Sequence, residues 1–149
     1  MQIIGFNFEK ISVERKKATS KEEIKIQSAM NILEVSEEKV DVMKEQTIVR
    51  IVFEFIVQYQ PEFALVQFKG SILAALEKAQ LKEVLQSWKQ KQLAPTIRTP
   101  IFNLILNKCN IQALQLEDEL GLPFHVQLPK ITEEQMKEAQ KKNSTSYAG

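Results

Sequence analysis

A single cysteine, Cys109, means that no disulfide can form within the chain, and a reducing cytoplasm is the expected compartment. A single histidine, His125, lacks the His and Cys companions that a metal site requires at ligand spacing. Only four glycines occur, and none belongs to a phosphate-cradling loop or a nucleophile elbow. No run of about 18 apolar residues is present, which excludes a membrane-spanning helix. The opening MQIIGFNFEK lacks the basic-then-apolar layout of a signal peptide. Charge of one sign is also missing. The 20 basic and 19 acidic residues leave a net +1, too balanced for nucleic acid to be the main partner. Neither an active site nor a cofactor is expected.

What is present is a 44% hydrophobic content in 149 residues, enough for one domain with a core. Met1 to Val13 alternates loosely, with Ile4, Phe6 and Phe8 on one side and then Ile11 and Val13. Ile24 to Ile32 alternates cleanly, and both patterns predict half-buried strands. The stretch from Thr47 to Tyr59 is the strongest strand, rich in β-branched and aromatic residues on both faces. Gln60-Pro61-Glu62 predicts a turn, after which Phe63 to Leu76 returns as a fourth strand with a bulge or bend at Gly70. Charged residues 14–23 and polar residues 36–46 read as connections. Short connections favour an antiparallel meander.

After Glu77 the period changes to that of helices. Leu81, Val84, Leu85 and Trp88 form an amphipathic stripe, with Trp88 read as core. A break follows, and Thr99 is expected to cap a second helical segment with Pro100 in its first turn. There Phe102, Leu106, Cys109, Ala113, Leu116 and Leu120 make a heptad seam, on which Cys109 serves as a small hydrophobe. Ile101, Leu104, Ile105 and Ile111 lie off that seam. A helix apolar on more than one side needs cover on more than one side, so these four are the candidate oligomer interface. Glu117, Asp118 and Glu119 read as a solvated acidic face or a contact for a basic partner.

The segment LPFHVQLP, residues 122–129, is the most unusual stretch. Its two prolines predict an extended loop, yet Leu122, Phe124, Val126 and Leu128 are apolar. Such a loop either packs inward or offers apolar surface to a partner. His125 within it reads as a hydrogen-bonded loop histidine, and its pairing with Cys109 for catalysis is disfavoured. Thr132 and Gln135 fit a capping box that opens a charged helix to about Asn143, and the residues after it are expected to be disordered. The expected organisation is one domain over 1–131 and a mobile tail over 132–149.

FALVQFKGSILAAL (63–76), NLILNKC (103–109) and GLPFHVQLPKI (121–131) resemble the fourth strand, long helix and helix-connecting loop of the SecB family of export chaperones. The likeness is narrower to SecB-like proteins outside the bacterial export system, archaeal ones included. The resemblance implies an α+β fold: a four-stranded antiparallel sheet, a long broken helix packed on one face, and a short C-terminal helix. It also implies a homotetramer, a dimer of dimers that holds unfolded polypeptide clients in an apolar groove without ATP. Carried over residue by residue, the groove is Leu122, Pro123, Phe124, Val126 and Leu128. Bacterial members are strongly acidic and end in a helix bearing apolar residues. This chain is nearly neutral and its last helix is charged, so docking on a secretion motor is not implied. An oligomeric adaptor with one dedicated protein partner is the alternative reading.

Overall fold

Thr47–Gln60 and Ala64–Leu76 are the strands with apolar side chains on both faces, and they occupy the middle of a four-stranded antiparallel sheet. In the computed structural model, which describes residues 1–16, 23–39 and 46–147 with side chains to Asn143, they are β3 and β4. The strands β1 (Gln2–Arg15) and β2 (Lys25–Glu38) take the edges, in the order β1-β4-β3-β2. A central strand tolerates continuous hydrophobic sequence, whereas an edge needs polar side chains against unwanted pairing. β2, β3 and β4 form the expected meander. β1 departs from it and pairs with β4 rather than β2. The two connections read from sequence fall largely on residues 17–22 and 40–45, which lie outside the described residues.

The loose alternation of the first strand has a structural cause. Register shifts at Ile4 and Glu9 make two bulges in β1, and a third lies at Leu33 in β2. Each bulge advances the side-chain phase by one residue. Phe6, Phe8, Ile11 and Val13 therefore share a face, opposite Ile72, Gly70, Phe68 and Val66. In the same way Val35 returns to the face of Met30 and Ile32 and is buried. The bulge expected at Gly70 sits on the partner strand. A Cβ at Gly70 would lie 2.5 Å from the Asn7 carbonyl oxygen and 2.6 Å from Phe53 Cζ, so the glycine is there to admit the Phe53 ring.

Helices α1 (Lys78–Trp88) and α2 (Pro95–Glu119) cover the face built from Val49, Ile51, Phe53, Phe55, Val57 and Tyr59. In α1, Leu81 and Val84 are buried, while Leu85 and Trp88 are half-buried, so the predicted stripe faces inward. The second helix begins one turn earlier than expected. Pro95 occupies the first helical position, and Pro100, expected in the first turn, lies inside the helix. Pro95 meets the same criterion, a position whose N–H has no intrahelical acceptor.

The buried stripe of α2 is Ile97, Ile101, Ile105, Cys109, Ala113 and Glu117, a strict four-residue spacing. This corrects the heptad seam: only Cys109 and Ala113 of it are fully buried, while Leu106 is 36% exposed. It also corrects half of the candidate oligomer interface. Ile101 and Ile105 are fully covered by the chain's own sheet, and each is worth about 1.5–3 kcal/mol there. Leu104 is half-buried against the core, and Ile111 is 61% exposed. The i, i+4 row of a helix runs obliquely across a twisted sheet, and seven-residue counting cannot reveal it.

The opposite face of the sheet is laced with polar contacts among the described residues. Arg50 pairs with Glu9 at 2.5 Å, and Gln67 donates to Glu54 at 2.8 Å. Beyond the loop, α3 (Glu133–Tyr147) opens on the predicted capping box. Thr132 N–H donates to Gln135 Oε1 at 3.0 Å, and Gln135 N–H donates to Thr132 Oγ1 at 3.2 Å. The helix continues to Tyr147, past the expected end at Asn143.

Candidate functional site

The loop after α2 starts from a well-defined helix end. Leu122 N–H donates to the Glu117 carbonyl at 2.8 Å, and Gly121 N–H donates to that of Asp118 at 3.3 Å. These are the two bonds of a Schellman cap, with Gly121 in the left-handed region at φ +65°. Arg15, at the end of β1, donates from Nη1 to the Leu120 carbonyl at 2.9 Å and stacks over Phe63. The chain then turns sharply. Leu122 drops into the core, and the Tyr59 hydroxyl donates to the Pro123 carbonyl at 2.6 Å.

Glu117 is the group around which this loop closes. Its side chain is completely buried. It accepts a bond from the His125 backbone N–H at 3.0 Å, and the ring Nδ1 of His125 lies 2.5 and 2.9 Å from its two oxygens. On the far side, Nε2 lies 2.8 Å from Asn110 Oδ1, so each ring nitrogen has an oxygen to donate to. The ring meets Phe55 edge-on, with centroids 6.0 Å apart. A buried carboxylate is tolerable only when paired and hydrogen-bonded, and its partner comes from eight residues downstream. The solvated acidic face is thus corrected: Asp118 and Glu119 are exposed, Glu117 is not. His125 is the hydrogen-bonded loop histidine that its position predicts.

The five loop residues assigned to a groove separate. Phe124 is 40% and Leu128 45% exposed, and Pro123 is exposed as well. Val126 is half-buried, and Leu122, 5% exposed, is an anchor for the loop and not a contact surface. The aromatics of β3 and β4 lie under α2 and line no open surface: Phe53, Phe55, Phe68 and Tyr59 are all buried.

A groove that sequence reasoning missed runs between β2 and the corner joining α1 to α2. It encloses about 480 Å³. Met30, Asn31 and Ile32 form its strand side; Trp88, Lys91, Gln92, Leu93, Arg98 and Phe102 form the helix side. Trp88, read as core, is half-buried and shows one side to this groove. Phe55 is buried between the groove and the loop: its ring meets His125 edge-on, and its partner across the strand pair is Met30. The available signal was Trp88 at the end of its helical stripe, directly before the polar run 89–92, where a core position gives way to a rim.

Two buried titratable groups make the core sensitive to alkali. Burial pushes the Cys109 thiol up to about 12, which suits a packing residue and not a nucleophile. Burial first, and then the charge and hydrogen bond of Glu117, raise Tyr59 above the usual phenol range. Unfolding returns these groups to ordinary values of 9.0 and 10.0, so the unfolded chain loses its protons first. Both groups therefore contribute stability that is complete below about pH 9 and is lost progressively above it. Denaturant midpoints at rising pH are expected to fall from pH 9 upward. A midpoint that stays flat to pH 11 would contradict the assignment.

An edge-to-edge order of β1-β4-β3-β2, with a broken helix on one face and a helix-connecting loop folded back on it, defines a SecB-like α+β fold. A similar solved structure is the Mycobacterium tuberculosis SecB-like chaperone Rv1957 in complex with a ChAD peptide from the HigA1 antitoxin Rv1956. The likeness has a TM-score of 0.50 at 13% identity and covers 89% of this chain and 91% of that one. No family model and no curated protein matches the sequence. Among the described residues, no helix is long and apolar enough to cross a membrane.

Proposed function

We propose that this chain is an ATP-independent holdase, which binds unfolded polypeptide through the loop 122–128 and the adjoining groove along β2. The observation that carries the reading is the build of the loop. Leu122, Pro123 and His125 are tied down from beneath, and Phe124 and Leu128 are held outward. An apolar side chain in a rigid exposed setting loses little entropy on binding, and burial of apolar area is indifferent to client sequence. Assembly into a tetramer through the flank of α2 that bears Leu104 and Ile111 would multiply such contacts along one client.

Size exclusion with light scattering, with and without a permanently unfolded client, tests this reading. The wild type should co-elute with client. Phe124→Asp with Leu128→Asp should abolish co-elution while leaving the oligomer and its circular dichroism unchanged. Undiminished binding by the double variant would remove the loop from the site. Leu122→Asp is unsuitable for this purpose, because a buried charge there would unfold the loop.

A second reading has its own support. The solved Rv1957 complex contains a defined peptide from a single antitoxin. A dedicated adaptor would use the same surface for one partner. A panel of unrelated unfolded clients separates the two, since an adaptor would ignore them all.

A further inference from the structure

The groove along β2 combines an open strand edge, an apolar wall and a rim of one charge. Among the described residues β2 pairs only with β3, so the backbone donors and acceptors along its other edge are available to a further strand. Met30 and Ile32 stand two residues apart on the side that faces Trp88, Leu93 and Phe102. A chain added beside β2 would sit about 4.8 Å away and send every second side chain to that same side. The bulge at Leu33 limits the regular edge at one end.

The charged groups lining the groove are both cations. Lys91 holds its ammonium 4.9 Å from the centre of the Trp88 ring, and Arg98 donates from Nη2 to the Leu93 carbonyl at 2.9 Å. Neither forms an ion pair with a described residue, and no aspartate or glutamate lines the groove. The whole chain is almost neutral, so any preference for charge in a client must arise locally.

We infer that this groove accepts an extended segment of acidic, apolar polypeptide as an added strand on β2. Alternate apolar side chains enter between Met30 and Phe102, and client carboxylates face Lys91 and Arg98. The inference rests on the polypeptide-binding reading above and specifies the class of segment that it takes.

Two fluorescent peptides with the same alternating apolar core, one flanked by Glu and one by Lys, provide the test. At low salt the Glu-flanked peptide should bind about threefold to tenfold tighter, the range for a pair of rim charges. The gap should close as salt rises, and amide exchange should slow along 25–38 when peptide is bound. Lys91→Glu and Arg98→Glu should each remove most of the preference, because the new carboxylate offsets the remaining cation, and the double variant should reverse it. The described contact of the Lys91 ammonium is with the Trp88 ring, so its variant stays informative even if loss of the Arg98 bond disturbs the helix corner. Equal affinity for the two peptides, or a preference untouched by either charge reversal, would overturn the acid preference while leaving polypeptide binding intact. Failure of both peptides and of an unfolded client to bind would overturn both.

Discussion

Glu117→Ala should lower the stability of the folded chain by about 2–6 kcal/mol, the cost of leaving two buried donors without an acceptor at about 1–3 kcal/mol each. The site explains the size of the effect. Glu117 is fully buried, and the His125 side chain is only 2% exposed, so water cannot replace the lost carboxylate. The His125 backbone N–H and the ring Nδ1 both lose their acceptor. Glu117→Gln keeps the volume and one oxygen, and should cost about 1–3 kcal/mol, the penalty for one poorly satisfied buried group. Urea denaturation measures both. Faster amide exchange over 121–128 in the alanine variant would show that the loop has come off α2. If the alanine variant lost less than about 1 kcal/mol, under the penalty for even one unsatisfied buried donor, Glu117 would not be the clasp that holds the loop.

Gly70→Ala should be nearly as damaging, at about 1–3 kcal/mol or more for overpacking a closely fitted core. The added methyl meets a backbone oxygen of β1 and the ring of Phe53 at once. Phe53 is itself fully buried and stacked on Phe6 at 5.3 Å, so it has nowhere to turn. Gly5 is a useful control. A Cβ there meets only the Leu73 side chain at 3.8 Å, ordinary contact, and Gly5→Ala should be close to neutral. Thermal midpoints of the two variants should separate clearly. Equal midpoints would show that β1 shifts to admit the methyl at Gly70.

These two variants also connect the loop with the rest of the fold. Gly70 lies at the centre of the sheet, where Phe53 closes the core beneath α2. Glu117 lies at the far end of α2, where the same core gives way to the exposed loop. The order of strengths has a functional consequence. A clasp buried this deeply holds the loop to α2 at His125 while Phe124 and Leu128 stay exposed, the presentation that the proposed polypeptide binding requires.

Periodicity and residue type were enough to determine the elements. Two-residue alternation and β-branched composition marked three strands, the turn at Gln60-Pro61-Glu62 marked the return of a fourth, the change to a helical period marked α1 and α2, and Thr132 with Gln135 marked the start of α3. The two prolines and four apolar residues at 122–129 marked a loop of consequence. What each side chain faces was decided elsewhere. A bulge reverses the facing of everything beyond it, and nothing local to Ile4, Glu9 or Leu33 announces one. The strand order depended on which strands could be buried on both faces. The buried side of α2 depended on the sheet lying beneath it, which turned Ile101 and Ile105 inward. Glu117 illustrates the limit most plainly. By composition it belongs with Asp118 and Glu119 in water, and only a histidine brought back by the folded loop makes its burial possible. Local propensity is a property of neighbours in the chain, whereas pairing and burial are properties of neighbours in space.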